Sequence, residues 1–200
     1  MKTQSSPLVA GPSPASRISL VATRKRIRFL PMSIVRLVAI LGLLVLSATV
    51  VSAANVNAIV YSVSGTAEYA NPGSSSFAPL KKGQALPIGS TVRTGDDGIA
   101  VLVTTPGSAI QIGNGSVLKL NALAFAKSGS DVTQRQAVLQ LSSGVVSALI
   151  DPSTPNITDF RIQTPQGAAA ARGTFYAVLV YNGKTYVGVK EGKVAASSSK

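Results

Sequence analysis

Apolar and polar positions alternate in short runs along most of this chain, and glycine-containing dipeptides separate the runs. Between Leu80 and Leu120 the β-branched stretches are interrupted at Asp97-Gly98, Pro106-Gly107 and Asn114-Gly115. Gly takes a positive φ at little cost, and Asn and Asp tolerate it, so these dipeptides read as hairpin turns. They recur every eight or nine residues, the spacing of an all-β stack.

The same pattern predicts strands along the rest of the chain. Asn57–Ala70 reads as one long strand or a strand pair, with Gly65 as a bulge or bend. Lys81-Lys82-Gly83 and Pro87-Ile88-Gly89 read as tight turns, and Val92–Thr94 as a short strand. Ile99–Thr104 is apolar on both faces, which suits a strand covered on both sides. Ala109–Ile112 and Ser116–Ala122 follow, with Ile110, Ile112, Leu118 and Leu120 inward and Lys119 outward. Ala126–Thr133 reads as a polar loop. Ala137–Leu141 and Val145–Ile150 read as a strand pair around Ser142-Ser143-Gly144, and Pro152–Asn156 as a second loop. Asp159–Gln163 alternates with Phe160 and Ile162 inward. Thr174–Tyr181, Lys184–Lys190 and Gly192–Ala196 complete the series, with turns at Asn182-Gly183 and Glu191-Gly192. Only Gly167–Ala171 has helical propensity, enough for one turn between Pro165 and Gly173. The expected fold is therefore all-β: one domain of about eleven to thirteen short strands, arranged as a sandwich or roll. The even turn spacing also admits a solenoid-like stack.

Composition divides the chain at about residue 53. The 200 residues carry a net charge of +12. Residues 1–53 hold seven Lys or Arg and no acid, whereas residues 54–200 hold twelve basic and seven acidic residues, a net of +5. The basic character belongs mostly to the N-terminus, and a nucleic-acid reading of the overall charge is not warranted. Leu37–Val51 is fifteen residues without a charge. That is short for a membrane span of about 20 residues and right for a signal-peptide core. Arg24-Lys25-Arg26-Ile27-Arg28 precedes it as an inside-positive signal. Val51-Ser52-Ala53-Ala54 supplies small side chains for a signal peptidase, with cleavage expected after Ala53. A start at Met32 would also give a compact secretory signal, carrying its charge at Arg36; the alternative is a long n-region. We therefore divide the chain into a basic n-region and signal peptide, residues 1–53, and a β-domain, residues 54–200. Its expected location is periplasmic or secreted.

The chain has no Cys and no His. Disulfides and Cys-ligated metals are excluded, and the commonest general base and zinc ligand are missing. Ser and Thr are plentiful, but no carboxylate pair or phosphate loop is recognisable. Aromatic residues are 5% of the chain and are not interleaved with basic runs, unlike a nucleic-acid surface. Asp96-Asp97 reads as a turn before Gly98, since a calcium site needs six to eight oxygens. Lys81, Lys82 and Arg93 could together face an anionic envelope polymer, or form an ordinary solvated face. No catalytic residue, cofactor or metal is expected.

Several blocks, in order across residues 57–196, resemble the FecR domain family. They are Val63-Ser64-Gly65-Thr66-Ala67, Leu80-Lys81-Lys82-Gly83, Leu86-Pro87-Ile88-Gly89 and Val92-Arg93-Thr94-Gly95. Gly98-Ile99-Ala100-Val101-Leu102, Thr164-Pro165, Arg172-Gly173-Thr174-Phe175 and Glu191-Gly192-Lys193-Val194 follow. The residues carrying the resemblance are Gly65, Gly83, Gly89, Thr94, Thr164, Pro165, Arg172, Gly173 and Thr174, and their expected role is structural. Arg172 is expected to be partly buried, its donors on carbonyls of the turns near Gly95 or Gly192. Gly173 is expected at positive φ or in close backbone contact.

The resemblance implies a bacterial, exported β-domain. Its best-known members are membrane regulators that join a cytoplasmic anti-sigma part to a periplasmic sensing domain. Residues 1–36 and the few residues after Val194 are expected to be too short for the other parts of such a regulator. The function expected is a non-enzymatic binding, scaffold or sensing module of the envelope. Its partner is a protein or an envelope polysaccharide, not a nucleic acid. The alternative is a membrane-anchored signalling regulator that keeps residues 37–53 as a helix. N-terminal sequencing of the protein from its host separates the two. A first residue of Ala54, or of Asn55 if cleavage follows Ala54, is expected; an intact N-terminus in the membrane fraction establishes the anchor.

Overall fold

The computed structural model describes residues 54–199. The signal segment, the Met32 start, the helix expected over 37–53 and the Ala53 cleavage position lie outside the described residues. Fifteen strands form. They are β1 (Ala54–Asn55), β2 (Ala58–Ser64), β3 (Ala67–Ala70), β4 (Ala78–Pro79), β5 (Ala85–Leu86), β6 (Thr91–Thr94), β7 (Ile99–Thr105), β8 (Ser108–Ile112), β9 (Val117–Ser128), β10 (Asp131–Ile150), β11 (Thr158–Thr164), β12 (Gly167–Ala171), β13 (Phe175–Tyr181), β14 (Lys184–Glu191) and β15 (Val194–Ser198). Three of them, β1, β4 and β5, are only two residues long, which accounts for a count above the expected range.

Hydrogen bonding links all the strands through β10, which belongs to two sheets. Its first part pairs with β9 and β11, and its second part with β8 and β13. The first sheet runs β4-β3-β6-β9-β10-β11-β12-β15, with β1 on the far end of β9. The second runs β5-β2-β7-β8-β10-β13-β14. Every pairing is antiparallel except β10 with β11. The result is a roll, one of the layouts that the turn spacing allows.

One core fills the angle between the sheets. Leu86, Leu102, Ile110, Ile112 and Val178 come from the second sheet; Leu118, Leu120, Leu139, Phe160 and Ile162 come from the first. Each is at most 1% exposed, so the two sheets share one dry interior. Burying a side chain of this size contributes about 1.5–3 kcal/mol. The inward positions predicted for Ile110, Ile112, Leu118, Leu120, Phe160 and Ile162 are all observed.

The expected break at Ser142-Ser143-Gly144 does not end a strand. β10 continues through it for 20 residues. Its inward residues are Ala137, Leu139 and Leu141 before the corner, and Val146, Ala148 and Ile150 after it. The inward set thus passes from odd to even positions, which requires one inserted residue. The pairing with β9 slips between Leu141 and Ser143, as that insertion demands. Gly144 has φ +85°, and a Cβ there would lie 2.5 Å from Ser116 Cα and against Ser116 Oγ. Backbone conformation and lack of space both require glycine at the bend.

Two other expectations are corrected. Ala126–Thr133 is not a loop: β9 runs to Ser128, β10 starts at Asp131, and Gly129-Ser130 is the turn. The hairpin extends beyond the core, so its tip is exposed and polar although its backbone is paired. Gly167–Ala171 is not a helical turn. It is β12, hydrogen-bonded on both sides to β11 and β15, and the two ladders override the alanine propensity.

Replacing Gly144 by Val puts a branched side chain at positive φ against Ser116. A loss of about 3 kcal/mol or more is expected. Urea unfolding of the two proteins measures it; an unchanged midpoint contradicts the packing described here.

Candidate functional site

The chain passes between the sheets at several corners, and four of them stack along one side of the roll. They are Gly65-Thr66, Gly95–Gly98, Gly113–Ser116 and Gly144. Each corner is hydrogen-bonded to the next. Gly95 N–H donates to Thr66 O at 2.9 Å, and Thr66 N–H to Asp97 Oδ1 at 3.2 Å. Buried Thr94 donates its hydroxyl to Gly113 O at 2.6 Å and accepts Ser116 N–H at 3.0 Å. Ser116 Oγ accepts Val145 N–H at 2.9 Å. Asn114 Nδ2 donates to Asp96 O at 2.7 Å, so Asp96-Asp97 serves as a turn, as expected. A Cβ on Gly65 would strike Asp97 O, and this glycine bends the chain between sheets instead of bulging one strand.

A second set of corners lies where β10, β12 and β14 end. Ile150 N–H donates to Thr174 O at 3.0 Å, and Asp151 N–H to Gly107 O at 2.8 Å. Gly173 has φ +99°, and its Cβ would stand 2.5 Å from Pro152 Cα. Both conditions predicted for Gly173 hold. Thr174 is buried, with its hydroxyl unpaired among the described residues. Thr164 and Pro165 form the β11–β12 turn, where Thr164 Oγ1 donates to Gly167 O and accepts from Thr185 Oγ1 at 2.8 Å. Gly83 and Gly89 lie in the two turns flanking β5, both at positive φ.

Arg172 does not behave as predicted. It is exposed, and no hydrogen bond joins its guanidinium to any described residue. At Gly173 the chain crosses from β12 to β13, and Thr174 O accepts Ile150 N–H at 3.0 Å, while the Arg172 side chain stays at the surface. A different residue takes the structural position. Arg135 on β10 is nearly buried, and Nη1 donates to Thr154 Oγ1 at 2.6 Å and stands 3.7 Å from Asp151 Oδ2. It fastens the loop after β10 to the strand. Hydrogen bonds from Ser153 and the charge of Arg135 hold the Asp151 carboxyl below its ordinary value. The sequence signal for Arg135 was weak: one Arg among the polar residues ahead of Ala137.

The outer face of the second sheet carries the most unusual surface. Ile59, Tyr61, Leu149, Leu179, Tyr181 and Tyr186 are all large apolar residues exposed there. Strand register joins Ile59, Val103, Ala109, Leu149 and Phe175 into one cross-strand row, and Val145, Leu179 and Tyr186 into another. Between them lies a furrow of small residues: Ser147, Ala177 and Gly188. β7 was expected to be covered on both sides. Ala100 and Leu102 are buried in the core, but Ile99, Val101 and Val103 face outward and are half-buried.

The family described as FecR protein matches residues 90–195. The chain belongs to the FecR family. No curated protein and no solved structure is significantly similar to it. The FecR match covers β6 to β14 and enters β15, with Thr94, Thr164, Pro165, Arg172, Gly173 and Thr174 inside it. Gly65, Gly83 and Gly89 precede the match, and Gly65 joins it physically through the Asp97 corner. FecR membership points to a signalling-related envelope module.

For Lys81, Lys82 and Arg93 the two expected readings were an anionic-polymer patch and an ordinary solvated face, and Arg93 is engaged within the domain. Arg93 Nε pairs with Glu68 Oε2 at 2.7 Å, and its guanidinium stacks 3.9 Å above the centre of the Phe77 ring. Lys81 and Lys82 are exposed in the turn after Leu80, and neither enters an ion pair among the described residues. Tyr176 is buried in the core, and burial pushes its phenol well above its ordinary value, so it stays neutral.

Thr94→Val removes a donor and an acceptor from the first corner set and is expected to cost about 2 kcal/mol. Arg172→Ala is expected to stay within about 0.5 kcal/mol of the parent. Thermal melting of both variants checks the pair; the reverse order restores the structural reading of Arg172.

Proposed function

We propose that this FecR domain acts outside the cytoplasm as a non-enzymatic binding or sensing module of the bacterial envelope, and that it docks a protein on the outer face of its second sheet. The single observation behind this reading is the uncovered apolar face. β7 carries the pattern of a strand packed on both sides, yet only its core side is covered by described residues. Six strands at about 4.8 Å spacing, each about 20 Å long, present on the order of 500 Å² in projection. The apolar rows fill part of that face, and exposed apolar patches of a few hundred Å² are often functional.

The chemistry of the face favours a protein over a glycan. Ile59, Val103, Leu149 and Leu179 are aliphatic, and Gln111 and Ser147 are the polar side chains of the central rows. The hydroxyls of Tyr61, Tyr181 and Tyr186 add polar groups around the aliphatic rows, not within them. Lys184, Lys190 and Glu191 stand along β14 at the margin. An apolar centre within a polar rim is the anatomy of a protein interface. Signalling by contact also agrees with the FecR family.

The test is a photo-reactive amino acid placed at Leu149 or Tyr186 of the full-length protein in its host, with Lys82, in the turn before β5 and outside the apolar rows, as the comparison. Illumination is expected to give one discrete protein adduct from the first two positions, identifiable by mass spectrometry, and none from Lys82. Equal adducts from all three positions overturn the proposal. So does a glycan-only capture that Leu149→Lys abolishes.

A further inference from the structure

Arg172 is free of the structural duty predicted for it, and it does not stand alone. The first sheet has its own outer surface, distinct from the apolar face. There β12 and β15 carry mostly alanine and serine: Gly-Ala-Ala-Ala-Ala and Val-Ala-Ala-Ser-Ser. Arg161 on β11 lies opposite Ala170, which lies opposite Ala195. One residue beyond the last pairs, Phe160 with Ala171 and Ala171 with Val194, come Asp159, Arg172 and Lys193. Small residues in the middle and long ones at the margin leave a concavity of about 640 Å³. The concavity is open to solvent, so a ligand there would be held at the surface by its contacts with these long side chains.

The lining has an excess of positive charge. Arg161, Arg172 and Lys193 face one acid, Asp159. Asp159 is already occupied: its Oδ1 accepts Arg161 Nε–H at 2.8 Å, and Gln136 Nε2 approaches its Oδ2 at 3.5 Å. Among the described residues neither Arg172 nor Lys193 enters an ion pair. Asp159 is taken up by Arg161, so Arg172 and Lys193 keep an unbalanced positive charge that an external anion between them would relieve. A planar guanidinium offers a fork of N–H donors that fits two oxygens of one carboxylate or phosphate. Lys193 adds a mobile point charge beside it.

We propose that this concavity is an anion-binding site, with Arg172 as its principal donor and Lys193 and Arg161 in support. Its ligand is a small group bearing a carboxylate or a phosphate, the shared chemistry of acidic sugars and phosphate esters. The site lies on the other sheet from the apolar face and stands or falls independently of it.

Isothermal titration of the full-length protein with inorganic phosphate, galacturonate and neutral galactose tests the proposal. Phosphate or galacturonate is expected to bind, more weakly as salt is raised, and galactose not to bind. Binding of one anion alone identifies the source, and binding of both identifies the shared chemistry. Arg172→Gln should weaken binding at least tenfold and Lys193→Gln severalfold, with melting temperatures unchanged. Lys82→Gln should have no effect. No binding of either anion at millimolar concentration overturns the proposal. Affinity that survives both substitutions, or equal binding of galactose, also overturns it. If Arg172→Gln fails to fold, Lys193→Gln alone decides.

Discussion

Each crossing from one sheet to the other carries backbone N–H and C=O groups away from their strand partners, and at Gly98, Gly113 and Ser116 these groups are buried. Left unpaired there, each would cost on the order of 1–3 kcal/mol. The fold depends on answering them locally. Thr94 reaches across to the Gly113 carbonyl and takes the Ser116 amide, and Ser116 in turn serves Val145. Glycines at the same points let backbones approach closely enough for these bonds to form. The core residues on either side are held in facing layers because the corners are fixed.

This dependence explains which parts of the architecture were legible in the sequence. Turn dipeptides and period-2 alternation identified the class, the inward residues and most strand positions, because both are local properties. The corner in β10 was misread as a hairpin because Ser142-Ser143-Gly144 has the composition of a turn. The evidence against a hairpin was present: the apolar set moves from Ala137, Leu139 and Leu141 to Val146, Ala148 and Ile150. A shift of that kind marks a bulged, continuous strand as readily as a reversal, and pairing with β8, β9, β11 and β13 decides between them. The alanine run of β12 was misread for a related reason, since neighbours distant in sequence override a local preference.

The candidate sites were less legible than the fold. Arg172 was conspicuous because it is a charge among apolar residues, but conspicuousness did not reveal its direction. It points to solvent at a strand end, while Arg135, within an ordinary polar stretch, is the one drawn inward. The apolar outer face was legible only as a surplus. Ile99, Val101 and Val103 called for a second cover, and nothing in one strand shows which element supplies it.

The long strand β10 also constrains the order in which the chain can assemble. Its first part meets β9 across a turn of two residues, so that contact is local and cheap in loop entropy. Its second part faces β13, pairing Gly144 with Val180, and cannot do so until the chain has been supplied that far. A chain delivered N-terminus first therefore holds a half-finished strand, bonded to β9 along its first part and to β8 along its second, and lacking β11 and β13 on its other edge. Non-local pairing of this kind slows folding and leaves an open edge in the interval. The stretch after β10 thus closes both sheets at once, adding β11, β12 and β15 to the first and β13 and β14 to the second.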